Sequence, residues 1–319
     1  MCFFYYTTKN TRLCLCYSAR VATVDVFFLF FVFAGAFFRG AFALEESIYK
    51  KERNSKTKKK GNPKMKTISF INIKGGVAKT TSAIAFATLL AYEHNKRVLL
   101  LDCDKQGNAT TALIKHDKIT GLTTADLLLD KNIDVKNAIT NTYYEVDLIP
   151  ADFGLLEANR KVLFETTSRE FRLKKQLEQI SEEYDFCIID CPPDVNIGVT
   201  NALAASDYVL IPIRADSYGF NGLNYTFDAV QEAQEINPNL KIAGCFLTML
   251  QSNTLLAIAA RTSLSQVGEY EMSTYIRNST KVGESTFTDP LIISSPRSTV
   301  AEDYRALLNE FLERIKYNG

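Results

Sequence analysis

From Met65 onward, short runs of aliphatic and β-branched residues alternate with longer amphipathic stretches, and this alternation constrains the fold more than any other feature. The apolar runs cover residues 68–73, 98–102, 146–149, 186–190, 208–212 and 242–249. The amphipathic ones cover 80–94, 171–183, 220–235 and 301–316. Strands with no polar face, separated by helices, predict an α/β fold with a mostly parallel central sheet covered by helices on both faces. Nothing between residues 65 and 319 repeats, and no Pro/Gly-rich boundary divides it, so it is expected to form a single domain.

The turns between these elements carry the chemistry. The first strand runs into Lys74-Gly75-Gly76-Val77-Ala78-Lys79-Thr80-Thr81 and then into a helix. Successive backbone N–H groups at such a turn can wrap a phosphate chain, and the helix N-terminus adds a favourable dipole. In this arrangement Lys79 neutralises the β- and γ-phosphates and the Thr80 hydroxyl ligates Mg²⁺, as in a P-loop NTPase fold. The general pattern G-x-x-x-x-G-K-[ST] is missed twice, because Ile73 and Ala78 stand where its glycines belong. Two further strand ends support the same site. One is Asp102-Cys103-Asp104-Lys105-Gln106-Gly107-Asn108-Ala109-Thr110; the other is Asp190-Cys191-Pro192-Pro193. An isolated strand-end Asp reads as a helix cap or turn residue. Three acidic or glycine-rich ends on one sheet edge read instead as a phosphoryl-transfer site, where Mg²⁺ must be held and a water positioned.

These runs resemble the motifs of the ParA family of plasmid and chromosome partition ATPases, within the wider group that holds MinD. The family's deviant Walker A motif K-G-G-x-G-K-T-[ST] is met by Lys74 to Thr81 with Ala78 as a departure. D-x-D-P-Q-G-N-x-[ST] is met by Asp102 to Thr110 with Lys105 in place of Pro, and D-x-P-P by Asp190 to Pro193. The resemblance extends from about Met65 to the C-terminus, in the small form without an N-terminal helix-turn-helix. It implies ATP and Mg²⁺ as cofactors, with Gly75, Gly76, Val77, Ala78, Lys79, Thr80 and Thr81 binding ATP. It further implies that Asp104 positions the hydrolytic water, that Asp190 holds Mg²⁺ through water, and that Lys74 reaches the partner's nucleotide in an ATP-dependent homodimer. Weak hydrolysis stimulated by dimerisation and by a ParB-like centromere-binding protein is the activity implied. At Ala78 the substitution is harmless if φ is helical and costs ~1 kcal/mol or more if φ is positive.

The formal net charge of +1 conceals a split. Residues 1–64 carry twelve Lys/Arg and four Asp/Glu, whereas 65–319 carry twenty-five and thirty-two. Non-specific DNA binding, which the resemblance implies, therefore requires a local basic patch. One candidate is Arg160, Lys161, Arg169, Arg172, Lys174 and Lys175, interleaved with Glu165 and Glu170; the other is Arg277, Lys281 and Arg297. Lys281 falls where relatives carry a basic DNA-contacting residue, which favours the second group. The rival from another class is a MinD-like membrane-cycling ATPase, which needs a C-terminal amphipathic helix. Leu307, Leu308, Phe311, Leu312 and Ile315 make an apolar face, but the polar face mixes Glu302, Asp303, Glu310 and Glu313 with Arg305, Arg314 and Lys316, unlike a lipid-binding helix. Seven scattered cysteines read as reduced thiols, without a ligand set for metal.

Residues 1–64 are a different text. A Phe-rich run at 26–38 with basic residues before it and Ala41-Phe42-Ala43 after it imitates a secretory signal, and 26–44 is long enough for a membrane span. A membrane-tethered P-loop tyrosine kinase would follow if this segment were genuine, although the C-terminal tyrosines Tyr304 and Tyr317 are isolated. The reading preferred here is that Met65 is the start and the preceding residues a translated leader. A cytoplasmic, nucleoid-associated protein is then expected.

Overall fold

The computed structural model describes residues 64–114, 119, 121–142, 144–216, 220, 222–285 and 298–317. The segment before residue 64, with its hydrophobic run, lies outside the described residues, as does Arg297.

Seven strands form one sheet: β1 (Lys66–Phe70), β2 (Val98–Asp102), β3 (Thr140–Asn141), β4 (Val146–Ile149), β5 (Phe186–Asp190), β6 (Tyr208–Arg214) and β7 (Lys241–Thr248). Their order is β3-β4-β2-β5-β1-β6-β7, and every pairing is parallel except the short β3 against β4. The helices are α1 (Lys79–Tyr92), α2 (Asn108–Ile114), α3 (Thr124–Leu129), α4 (Gly154–Leu163), α5 (Arg172–Gln179), α6 (Ile197–Ala205), α7 (Leu223–Ile236), α8 (Leu255–Leu264), α9 (Thr280–Ser285) and α10 (Thr299–Arg314).

Strand periodicity divides the core in two. Leu99, Leu101, Cys187, Ile189, Ile211 and Ile213 face one layer, with Leu127, Leu155, Leu173, Leu203 and Val230 from the covering helices. Val98, Leu100, Phe186, Ile188, Leu210 and Phe246 face the other, against Phe86, Leu89, Leu113, Leu307 and Phe311. Buried on both faces, the central strands carry the near-continuous apolar runs from which they are legible. On the second face Phe86 bridges sheet and C-terminal helix, 5.1 Å from the Phe70 ring and 5.8 Å from that of Phe311.

Several boundaries differ from expectation. β1 ends at Phe70 rather than at 73, because the Asn72 side chain accepts the Lys74 amide at 2.9 Å and donates to the Pro212 carbonyl at 2.9 Å, turning the chain into its loop. The helix expected over 171–183 stops at Gln179, and a turn closed by the Glu183 amide on the Ile180 carbonyl leads towards β5. α6 has no polar stripe to advertise it, since Ile197, Val199, Ala202 and Leu203 are all buried; the Asn196 side chain caps it by accepting the Val199 amide at 3.1 Å.

The C-terminal helix α10 buries Val300, Ala301, Tyr304, Leu307, Leu308 and Phe311. The apolar face that a membrane-cycling protein would need is thus spent on the core. No helix among the described residues is long and apolar enough to cross a membrane.

Candidate nucleotide site

The strand order sets the site. β2, β5 and β1 are neighbours, and their register aligns Asp102 with Asp190 and Asp190 with Phe70, so the three ends stand level on one edge. The loop from Asn72 to Ala78 leaves β1 beside β5 on this edge, where open α/β sheets bind ligands beyond their strand ends. The expected convergence of three strand ends is what the sheet delivers.

Within that loop Gly75 and Gly76 are exposed, and Gly76 has φ 71°, a conformation open to glycine at little steric cost. Val77 is buried, and its carbonyl accepts the Thr248 hydroxyl at 3.2 Å, which pins the loop to the end of β7. Ala78 begins α1, its carbonyl accepting the Ser82 amide at 2.9 Å, with φ 68° and ψ 31°. The left-handed conformation settles the two-way expectation at this position: the departure from glycine is a strained one. Lys79 is 7% exposed and donates from Nζ to the Lys74 carbonyl at 2.9 Å. Burial pulls its pKa down, while Asp190, Cys191 and Asp104 pull it up.

Asp190 is completely buried, and neither of its carboxylate oxygens has a well-formed hydrogen-bond partner among the described residues. Burial and the neighbouring Asp102 push its pKa well above the usual carboxylate range; the Thr80 hydroxyl and the Lys79 ammonium lie close enough to pull the other way. An unsatisfied buried carboxylate is costly and calls for a cation or a donor. Among the described residues no three acidic, His or Cys side chains are grouped to hold a metal by themselves. The donors present are a hydroxyl and one carboxylate, which suits a hydrated Mg²⁺ completed by water and phosphate oxygens. Asp104 is 7% exposed, and its Oδ1 accepts the Gln106 amide at 3.0 Å. It borders a cleft of about 580 Å³ lined also by Lys105, Leu156, Arg160, Pro193 and Val195. A methyl group on Gly75 would lie 3.9 Å from Pro193 Cβ, so the phosphate loop passes beside one wall of this cleft.

Lys74 stands apart from Lys79. Its side chain is 28% exposed, with Nζ 3.9 Å from Asp216 Oδ1 at the end of β6. Asp216 also pairs with Arg214 at 2.7 Å. Asp216 carries no signal in the sequence, since one acidic residue after a strand makes no pattern.

Comparison with known proteins agrees with this geometry. A model of the AAA domain family matches residues 65–242. The sporulation initiation inhibitor protein Soj of Bacillus subtilis (strain 168) is 39% identical over 252 residues, 77% of this chain and 97% of Soj. The chromosome partitioning protein ParA of Myxococcus xanthus (strain DK1622) is 38% identical over 256 residues, 77% of this chain and 88% of its own. The chain belongs to the ParA family of partition ATPases. Among solved structures, a putative plasmid partition protein of Borrelia burgdorferi B31 bound to AMPPNP matches with a TM-score of 0.66 at 27% identity, covering 79% of this chain and 100% of the other. Cobyrinic acid a,c-diamide synthase of Mycobacterium smegmatis, with a bound ATP analog and magnesium, matches with a TM-score of 0.69 at 27% identity, over 80% and 97% of the two chains. A similar fold therefore also occurs in a protein named for a synthase activity, while the sequence relatives quoted above are named for partition and sporulation.

The basic groups separate on inspection. Arg172 is 2% exposed, donates to the Leu128 carbonyl at 3.0 Å and pairs with Glu165, so it is a core bracket and not part of a nucleic-acid surface. Arg169 pairs with Glu170 at 2.7 Å and Lys161 with Glu157 at 2.6 Å. In the second group Arg277 is held by Asp303 at 2.7 Å and donates to the Thr299 carbonyl at 3.0 Å, tying the segment before α9 to α10. That hydrogen bond to Asp303 raises its already high pKa. Lys281 is exposed on α9. The four described cysteines, Cys103, Cys187, Cys191 and Cys245, are buried free thiols, as expected.

Proposed function

We propose that the chain is a Mg²⁺-ATP-dependent ATPase that dimerises on ATP, binds DNA without sequence preference, and drives partition of a plasmid or chromosome with a ParB-like partner. The observation that carries this reading is the level placement of the phosphate loop, Asp104 and Asp190 on adjacent strand ends. Gly75 to Thr81 would receive the phosphates on backbone N–H groups, with Lys79 already beneath the loop to neutralise them. Thr80 would ligate the cation, and Asp190 would hold it through water. Bound Mg²⁺ would supply charge neutralisation to the transferring phosphoryl group. Asp104, facing the cleft, would orient the attacking water.

Lys74 supports the dimeric part of the reading. Its backbone belongs to the phosphate loop, yet its ammonium lies near Asp216 while Lys79 occupies the space under the loop. A cation on the rim of the site, partly exposed, is suited to a phosphate presented by a second subunit, in the manner of an arginine finger acting in trans. Hydrolysis then waits on dimerisation. Lys281 is the residue proposed to meet DNA phosphate, with Arg277 in a supporting position because its guanidinium is engaged by Asp303. Localisation on the nucleoid follows from that activity. Met65 remains the proposed start of the functional chain.

The experiment is sedimentation of the chain with ATP, with ADP, and with DNA added to each. ATP-specific dimerisation that Lys74→Ala abolishes is expected. A monomer under all conditions, or a dimer indifferent to nucleotide, would remove the dimeric reading.

A further inference from the structure

Behind the residues that would meet nucleotide, a hydrogen-bonded column runs from the end of β2 to the corner before α4. Asp102 is fully buried. Its Oδ1 accepts the Asp104 amide at 3.0 Å, and its Oδ2 accepts both the Thr110 amide at 2.9 Å and the Thr110 hydroxyl at 2.8 Å. The same hydroxyl accepts the Ala151 amide at 2.9 Å. A hydroxyl has one proton, so with Ala151 donating to its oxygen the proton goes to Asp102 and the order of the column is fixed. The Thr124 hydroxyl completes it by donating to the Asp102 carbonyl at 2.7 Å.

Gly107 closes the loop from the other side. It has φ 60°, and a Cβ there would sit 2.9 Å from the Ala151 carbonyl oxygen. The loop carrying Asp104 is thus tied to Asp102 at both ends, and at its middle it presses against Ala151. Besides its charge beside Asp190, the column bears on the reaction through the position of Asp104.

We propose that Asp102 and Thr110 are positioning residues, which fix the Asp104 backbone so that its carboxylate addresses the attacking water. The proposal rests on the reading of Asp104 given above. Three donors converging on one buried carboxylate form charge-assisted bonds, the stronger and more geometrically exacting kind. A catalytic carboxylate on a loop needs such support, because a displacement of about 1 Å costs on the order of a hundredfold in rate.

The test is ATP hydrolysis by the full chain, with binding of a fluorescent ATP analogue measured in parallel. Thr110→Val removes both hydroxyl bonds at nearly constant volume, whereas Thr110→Ser keeps them. Thr110→Val is expected to lower kcat by about tenfold to a hundredfold with KM for ATP within about twofold; Thr110→Ser should stay close to the parent. A Val variant with parental kcat would overturn the proposal. So would an equal loss in the Ser variant, which would place the effect on methyl packing. Where the Val variant does not fold, Gly107→Ala pushes the loop from the Ala151 side, and parental kcat in that variant overturns the proposal equally. Asp104→Ala separates the two levels: parental turnover there sinks the reading of Asp104 itself.

Discussion

Ala78→Gly tests the phosphate loop by the sign of its effect. Ala78 holds φ 68° and ψ 31° at the start of α1, where its carbonyl takes the first helical hydrogen bond from Ser82. An L-residue with a Cβ pays about 1–2 kcal/mol in this region. Glycine avoids that cost but gives the unfolded chain more freedom, which offsets about 0.4–1 kcal/mol. The half-buried methyl contributes at most a part of the ~0.8 kcal/mol of a buried methylene, roughly 0.4 kcal/mol here. The balance favours glycine by roughly 0.5 kcal/mol, or roughly 1–2 °C in Tm for a domain of this size.

Were Ala78 helical in the nucleotide-free protein, only the two adverse contributions would remain. The variant would then lose about 1 kcal/mol, or roughly 2–4 °C. Thermal unfolding followed by circular dichroism, without nucleotide and then with saturating Mg²⁺-ATP, distinguishes the cases. The expected result is a small rise in Tm with ATP affinity within about twofold of the parent, since the strain is present before binding. A fall of 2 °C or more without nucleotide, together with tighter ATP binding, would refute the reasoning. It would place the left-handed turn in the complex alone.

Lys79→Ala should abolish ATP binding in a filter or fluorescence assay, whereas Asp104→Ala should bind ATP and lose hydrolysis at least a hundredfold. Lys281→Ala should weaken DNA binding uniformly across sequences and lower the slope of log K against log salt by about one; unchanged binding would remove Lys281 from the surface. In the nucleotide-free protein Asp102 is raised to about 6, first by burial and then by Asp104, against hydrogen bonds from Thr110 and Asp104. A raised carboxylate binds its proton more tightly when folded, so its contribution is present below the unfolded pKa and is lost as pH rises towards 6. The unfolding free energy of the parent should therefore fall relative to that of Asp102→Asn as pH rises from 4 to 7, measured by urea titration. A flat difference would contradict the assignment.

What could be read from the sequence, and what could not, divides along a physical line. β2, β4 and β5 appear at their expected limits, because strands buried on both faces carry near-continuous apolar runs; β2 and β5 end on Asp102 and Asp190, and in β4 the buried Asp147 is satisfied by Asn141 and Tyr184. β1 is shorter than its apolar run, because Ile71 and Ile73 continue the run while Asn72 uses its side chain to end the strand. α6 is silent in the sequence for the opposite reason: a helix buried on nearly every side has no amphipathic period. Motif spacing brought Lys79, Asp104 and Asp190 to one edge, yet could not say what holds them there.

The same division explains the basic residues. A run such as Arg160 to Lys175 is a charge count until each partner is known, and Arg172, the least exposed of them, answers to Glu165 and two backbone carbonyls. Arg277 answers to Asp303 twenty-six residues further on. Glu165 stands within the run itself, but Asp303 and the carbonyls of Leu128 and Leu129 lie too far along the chain to show in local composition. Ala78 is the reverse case, since its meaning turned on a single dihedral angle that two adjacent residues cannot fix. The loop's left-handed turn lies between two fixed points, the Val77 carbonyl held by Thr248 and the helix that starts at Lys79. An alanine tolerated there implies that the surrounding sheet edge, and not the loop's own sequence, determines the shape of the phosphate site. Loop glycines then matter for the approach of a ligand more than for the fold. On that argument Gly76→Ala should impair ATP affinity more than it lowers Tm, and a variant that lost Tm alone would show that the loop shapes itself.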